Sequence, residues 1–354
     1  MKSNYRYIVK AFMAMAVIAG TTSCDDFLDR EPMSSISPET YYSTAAQLEA
    51  NLNDEYPNVL PSFGQWTYGI FGEDKGTDNQ IEVNANDRYT QDRWKVPHSE
   101  SDNWKFERIY RINFFLSEAL PKFGEDMSGS QNTISGSVAT IKHYIGEMYF
   151  LRAYEYFKKL QLFGDFPIIN QPLADEMEAL REASKRFPRN EVARFIISDL
   201  DKAYAYMSDV DMATTRINKD VAMLVKSRVA LFEATWLQNF KGTAFVPGGE
   251  GWPGASLHNN YQYPSGNIDN EVKYFLEQAV EASKLVADKY KGSLTENTGV
   301  LQQSADDPSN PYFDMFAQED LSDVKEVLLW RQYARGLSTH NINAAAGRLS
   351  LIHI

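Results

Sequence analysis

Cysteine is almost absent from this 354-residue sequence. Cys24 stands alone, which excludes an intramolecular disulfide and a thiolate zinc cluster and leaves packing to hold the fold. Histidine is scarce too: His98, His143, His258, His340 and His353 lie far apart and form no His-Glu-x-x-His pair, the spacing that places two zinc ligands on one helix face. Basic residues are outnumbered, 35 against 48 acidic, for a net charge of −13. The basic groups that do approach one another, Lys158 with Lys159 and the face Arg181, Lys185, Arg186, Arg189, read as solvated surface, so a nucleic-acid partner is not expected. Long apolar runs are missing as well. The one apolar stretch, Ala11 to Gly20, is about half of the ~20 residues needed to cross a bilayer. What remains is a globular composition, 43 % hydrophobic and 23 % charged, with enough chain to bury a core.

That apolar stretch follows Lys2, Arg6 and Lys10 and leads into Thr21-Thr-Ser-Cys24, the layout of an export signal over residues 1–23. A thiol directly after such a signal resembles the lipobox of bacterial lipoproteins, in which the sulfur receives a diacylglycerol and becomes the mature N-terminus. Thr21 stands where that motif prefers an aliphatic residue. The resemblance implies lipidation at Cys24; the bland reading is a cleaved signal that leaves a free thiol. Acyl chains contribute about 0.8 kcal/mol per buried CH₂, so they tether a domain to a membrane surface without a spanning segment. The Ser/Pro-rich residues up to about 40 read as the tether.

Helical signals dominate the rest. Thr44 with Gln47 forms a capping box ahead of Leu48, Leu52 and Tyr56. A second helix is expected from about Asp102, with Ile109, Ile112, Leu116 and Leu120 inward and Pro121 ending it. The third, Ser137 to Phe163, is apolar almost all round and so is expected between neighbours at the centre of the molecule. Asn190 and Asn218 read as N-caps of two more, and Asp269 or Asn270 starts a sixth. Only Val327–Trp330 and Phe166–Ile169 read as short strands. Ala153-x3-Phe157 and Ile145-Gly-x2-Tyr149 weakly echo tetratricopeptide patterning without its 34-residue period, so a mainly α fold with little β-structure is expected, either helical pairs stacked into a superhelix or a generic α bundle. Two long loops, about 58–101 and 241–268, interrupt it, and long loops in a rigid helical frame are usually functional or disordered.

No catalytic constellation, cofactor cradle or metal set is read from the residues. Gly249-Glu-Gly251-Trp-Pro-Gly254 matches Gly-x-Gly-x-x-Gly, but it contains proline and opens no helix, so it is a loop rather than a phosphate site. The acidic run Glu73 to Asn79 lacks the alternation of a calcium loop. The loops are instead rich in rings: Trp66, Tyr68, Tyr89 and Trp94 in the first, Trp252, Tyr261 and Tyr263 in the second. Rings beside Asn84, Asn86, Arg93, Asn103, Asn259, Asn260 and Gln262 suit sugars, whose C–H faces lie on an aromatic plane while hydroxyls bond to amides and acids. Trp66, Tyr89, Trp94, Trp252, Tyr261 and Tyr263 are therefore the candidate ligand-binding set. For each ring singly, anchoring of the loop against the core is the competing reading.

Several segments in order resemble the SusD/RagB family of surface nutrient-binding lipoproteins of Bacteroidetes. They are Cys24-Asp-Asp-Phe-Leu-Asp29, Trp104-x5-Tyr110 with Ile112-Asn113, Glu147-Met-Tyr-Phe-Leu-Arg-Ala-Tyr-Glu-Tyr-Phe157, Leu162-Phe-Gly-Asp-Phe-Pro167, Arg189 with Ile197-x-Asp-Leu200, and Arg216-Ile-Asn218. Asp165-Phe166 replaces the small and aliphatic pair usual in that family. The resemblance implies a lipid anchor at Cys24, an outer-membrane address facing the cell exterior with Asp25 and Asp26 as export signal, and an oligosaccharide ligand passed without chemistry to a SusC-type TonB-dependent barrel. A peptide ligand on the same architecture, or a glycoside hydrolase with paired carboxylates, are the alternatives. Family members are longer, and Leu349-Ser-Leu-Ile-His-Ile354 is similar to adapter read-through. The expected layout is thus an incomplete helical domain over 41–348 and a non-native tail over 349–354.

Overall fold

The computed structural model describes residues 41–61 and 103–333, apart from 125, 209–211, 302–303 and 305. Cys24, the tether and the closing residues lie outside them. Eight α-helices are described: α1 (Ala45–Val59), α2 (Glu107–Phe123), α3 (Val138–Phe163), α4 (Met177–Ala183), α5 (Arg189–Tyr206), α6 (Lys219–Asn239), α7 (Ile268–Tyr290) and α8 (Pro311–Ala317). Helix α3 is the hub, with α1, α2 and α5 on its sides; α6 then packs on α5 and α7 on α6, while α3 and α6 barely touch. The six long helices α1, α2, α3, α5, α6 and α7 thus bury their faces against one another, the arrangement of a stacked superhelix rather than of a closed bundle. A continuous hydrophobic core runs through the row from Tyr42 to Val286.

Local chemistry sets most boundaries where the sequence placed them. The Thr44 hydroxyl accepts the Gln47 amide at 3.3 Å while Gln47 Oε1 accepts the Thr44 amide at 3.1 Å, the expected capping box. Ser137 caps α3 and Asn218 caps α6. Gly146 permits the close approach of α3 to α5: a Cβ there would meet the Met207 amide nitrogen at 2.8 Å and the Ala203 carbonyl at 2.9 Å.

Other boundaries moved, each for a visible reason. Helix α2 begins at Glu107 rather than near 102, because Trp104 and Phe106 leave the helical path to pack on Phe166, with Trp104 also edge-on to Phe163. It continues through Pro121 to Phe123, since a proline in the last turn forfeits only one bond, and Gly124 ends it at φ +104°. Asn190 is no cap: Pro188 holds that position, and the Arg189 amide is taken instead by Asp165 Oδ1 at 2.9 Å. Asn267, not Asp269 or Asn270, caps α7. Among the described residues there is no β-strand. Phe166 makes a single antiparallel bridge with Phe187, and Val327–Trp330 forms no strand: Trp330 bonds to Thr214, the Leu328 carbonyl accepts from Asn218, and Leu328 and Leu329 pack on the core. The short helices α4 and α8 have too few apolar repeats to register as helical periods.

Across this stack the charged residues of the sequence motifs are buried and paired. Arg152 on α3 makes two bonds to Asp199 on α5, 2.6 and 2.8 Å, and reaches Asn113 on α2 at 2.9 Å. Arg216 grips Glu147 on α3 through two 3.0 Å bonds, and Tyr56 of α1 donates its hydroxyl to the same carboxylate. Arg189 clamps Glu233 on α6, its guanidinium lying 4.1 Å from the Trp236 ring centre. Each pair joins different elements, so the planar fork of arginine fixes their relative register.

Candidate functional site

Residues 241–267, between α6 and α7, form a chain of tight turns with one 3₁₀ turn at Pro253–Ser256. Trp252 is the pivot. Its indole N–H donates to Asp165 Oδ2 at 2.8 Å, and its ring forms a triangle with those of His258 (centroids 5.9 Å apart, 24°) and Tyr261 (5.6 Å), which lie 6.3 Å from each other. Only 5 % of Trp252 is exposed. Asp165 thereby serves two elements, capping α5 with one oxygen and holding the loop with the other. Burial pushes its carboxyl above the usual range, against the pull of the Trp252 indole and the Arg189 amide.

Tyr261 and Tyr263 complete the cluster, edge-to-face at 5.2 Å. The Tyr261 hydroxyl exchanges bonds with the Asn190 amide group, and Tyr263 donates to the Pro247 carbonyl at 2.7 Å. Burial raises both phenols well above their ordinary range, so both stay neutral donors. Beneath them Glu271 takes a two-pronged bond from Arg194, one from Asn190 and one from the Ser265 amide. Its burial alone would raise the carboxyl; these donors outweigh it and hold the pKa below the ordinary value. His258 donates Nε2–H to the Arg186 carbonyl at 2.7 Å, tying the loop to the segment before α5.

The structure therefore brings Trp252, Tyr261 and Tyr263 together, the polar ends of Trp252 and Tyr261 bonded to the stack and that of Tyr263 to the loop's own Pro247 carbonyl. The indole of Trp252 is an anchor rather than an open platform. Tyr261 and Tyr263 are half-buried, and Asn259, Asn260 and Gln262 beside them are exposed. Trp66, Tyr89 and Trp94 lie outside the described residues. Sequence reasoning missed Asp165 as the organiser of this loop. Its signal was the unusual Asp165-Phe166 step, which the structure explains: the carboxylate caps α5 and holds Trp252, while Phe166 fills the ring cluster with Trp104 and Phe106. Among the described residues no group of three His, Cys, Asp or Glu could hold a metal ion. Nor is any described helix long and apolar enough to cross a membrane.

The family model described as "Starch-binding associating with outer membrane" matches residues 26–231, more than half of the chain, and the chain belongs to this SusD-like family. Among curated proteins it is similar to SusD-like protein P2 of Formosa agariphila, 25 % identical over 253 residues that span 68 % of this chain and 46 % of that one. It is also similar to SusD-like protein P25 of the same organism, 25 % identical over 233 residues, 60 % of this chain and 41 % of the relative. The chain thus spans less than half the length of these relatives. Solved structures that resemble it include a SusD-like protein of Bacteroides fragilis (21 % identity, 60 % of this chain and 39 % of that one, TM-score 0.42) and a laminarin-binding SusD-like protein (16 %, 54 % and 29 %, TM-score 0.32).

Proposed function

We propose that this protein is a cell-surface glycan-binding lipoprotein that captures oligosaccharides and passes them, without chemical change, to a SusC-type TonB-dependent barrel in the outer membrane. The observation that carries the reading is the family match over residues 26–231, which begins two residues after Cys24. Lipidation of Cys24 tethers the domain to the outer face of the outer membrane, and Asp25 and Asp26 act as the export signal. In the capture step the rings Trp66, Tyr89 and Trp94 stack on sugar C–H faces, while Tyr261 and Tyr263 with the exposed Asn259, Asn260 and Gln262 add contacts from the second loop. The buried forks of the stack support this division of labour, because they satisfy the charged residues internally and leave the loops to meet the ligand.

The test is affinity electrophoresis of the full chain, in detergent, through gels containing neutral or acidic polysaccharides. Retardation by one glycan class, lost in Trp94→Ala, is the expected result. Failure of every polysaccharide to retard a chain that melts cooperatively overturns the reading.

A further inference from the structure

Between the first turn of α2 and the short helix α4 lies a pocket of about 320 Å³. Its walls are Phe106, Ile109, Tyr110, Ile169, Leu173 and Leu180. The polar members, Gln171, Asp175 and Ser184, are solvent-exposed, and the Ser184 hydroxyl already donates to the Leu180 carbonyl at 2.6 Å. Two observations separate this pocket from ordinary loose packing. Helix α4 buries none of its residues, so Leu180, 38 % exposed, is held at the pocket without contributing to the core. Tyr110 is 51 % exposed, yet its ring is backed by Phe114, stacked 6.1 Å away at 24°, and so is presented by a neighbour rather than left to swing.

The polarity of the walls selects the occupant. A bare sugar ring bears hydroxyls on most carbons, and each one buried without a partner costs about 1–3 kcal/mol. An aromatic ring instead gains from apolar burial and from edge or face contact with Tyr110. The volume falls at the small end of ligand pockets, suited to one ring and its substituent. We propose that this pocket receives a phenolic or phenyl ring carried by the ligand, an aryl aglycone or aryl ester on a saccharide. The saccharide part of this inference rests on the glycan-capture reading above; the affinity for the aryl ring does not.

The experiment measures binding of three probes to the full chain by calorimetry: phenyl β-glucoside, methyl β-glucoside and p-cresol. Phenyl glucoside and p-cresol are expected to bind, with methyl glucoside at least tenfold weaker, and Leu180→Arg is expected to weaken p-cresol at least tenfold with an unchanged thermal melt. Tyr110→Ala gives a second, independent variant at an exposed position and is expected to weaken p-cresol similarly. Absence of p-cresol binding, equal binding of the two glucosides, or p-cresol affinity unaltered in both variants overturns the proposal. Loss of p-cresol affinity in these variants, in a chain that no polysaccharide retards, sustains the pocket and sinks glycan capture instead.

Discussion

In the helical stack, Arg152, Arg189 and Arg216 each set a guanidinium against a buried carboxylate, whereas between residues 241 and 267 the buried residues, Val246, Pro247 and Trp252, are uncharged, Tyr261 and Tyr263 are half-buried, and the amides of Asn259, Asn260 and Gln262 face water. The difference teaches what each region is for. A buried carboxylate is tolerable only with its partner in place, so every fork ties together residues 44 to 69 positions apart and fixes the frame. The loop is tied to the stack at Asp165, Arg186, Asn190, Arg194 and Glu271, while Asn259, Asn260 and Gln262 stay exposed.

The sharpest way to break this contrast is to leave one stack charge alone. Arg152→Met strands Asp199 in the core and is expected to cost about 3–5 kcal/mol in urea unfolding; a cost under about 1 kcal/mol would mean that the fork does not hold the frame. In the loop, Trp252→Phe keeps a ring but removes the indole donor from Asp165, a charge-assisted bond worth about 1.5–3 kcal/mol. Proteolysis within 241–267 should accelerate while α3 and α5 stay protected from hydrogen exchange. Uniform loss of protection would show that loop and stack are one unit. Smaller still, Thr44→Ala removes one side of the α1 capping box for about 1 kcal/mol, seen as a modest drop in Tm.

The finest distinction is in pH. Glu271 has a folded pKa below its ordinary value, so its contribution to stability is present above the usual carboxylate range and is lost as pH falls through the folded value. Asp165 and Glu233 are raised by burial, so the cost of charging them grows as pH rises above the ordinary range. The stability difference between the native chain and Glu271→Gln should therefore be largest at neutral pH and shrink on acidification. Glu233→Gln should show the opposite slope.

Much of the frame was legible because helix signals are local. Thr44 with Gln47, Ser137 and Asn218 act within one turn of themselves, and the all-round apolar run of α3 declares a central helix. The misplaced caps have different causes: a distant Asp165 took the α5 amide and freed Asn190 to bond Glu271 and Tyr261, whereas the α7 cap moved only two residues, from Asp269 to Asn267, which accepts the Asn270 amide. The candidate site was less legible for the first of these reasons. An indole in a Gly/Asn-rich loop reads alike whether its N–H faces a ligand or a half-buried carboxylate 87 residues earlier in the chain. No local pattern announced Asp165 as the partner of Trp252.

We propose that the stack holds and the loop rings bind. The most direct test is Trp94→Ala, with dissociation constants for the retarding glycan and urea unfolding measured on the same preparation. The account predicts affinity reduced about tenfold or more, equivalent to about 1.4 kcal/mol, with unfolding free energy unchanged. Unchanged affinity in the folded variant would contradict it.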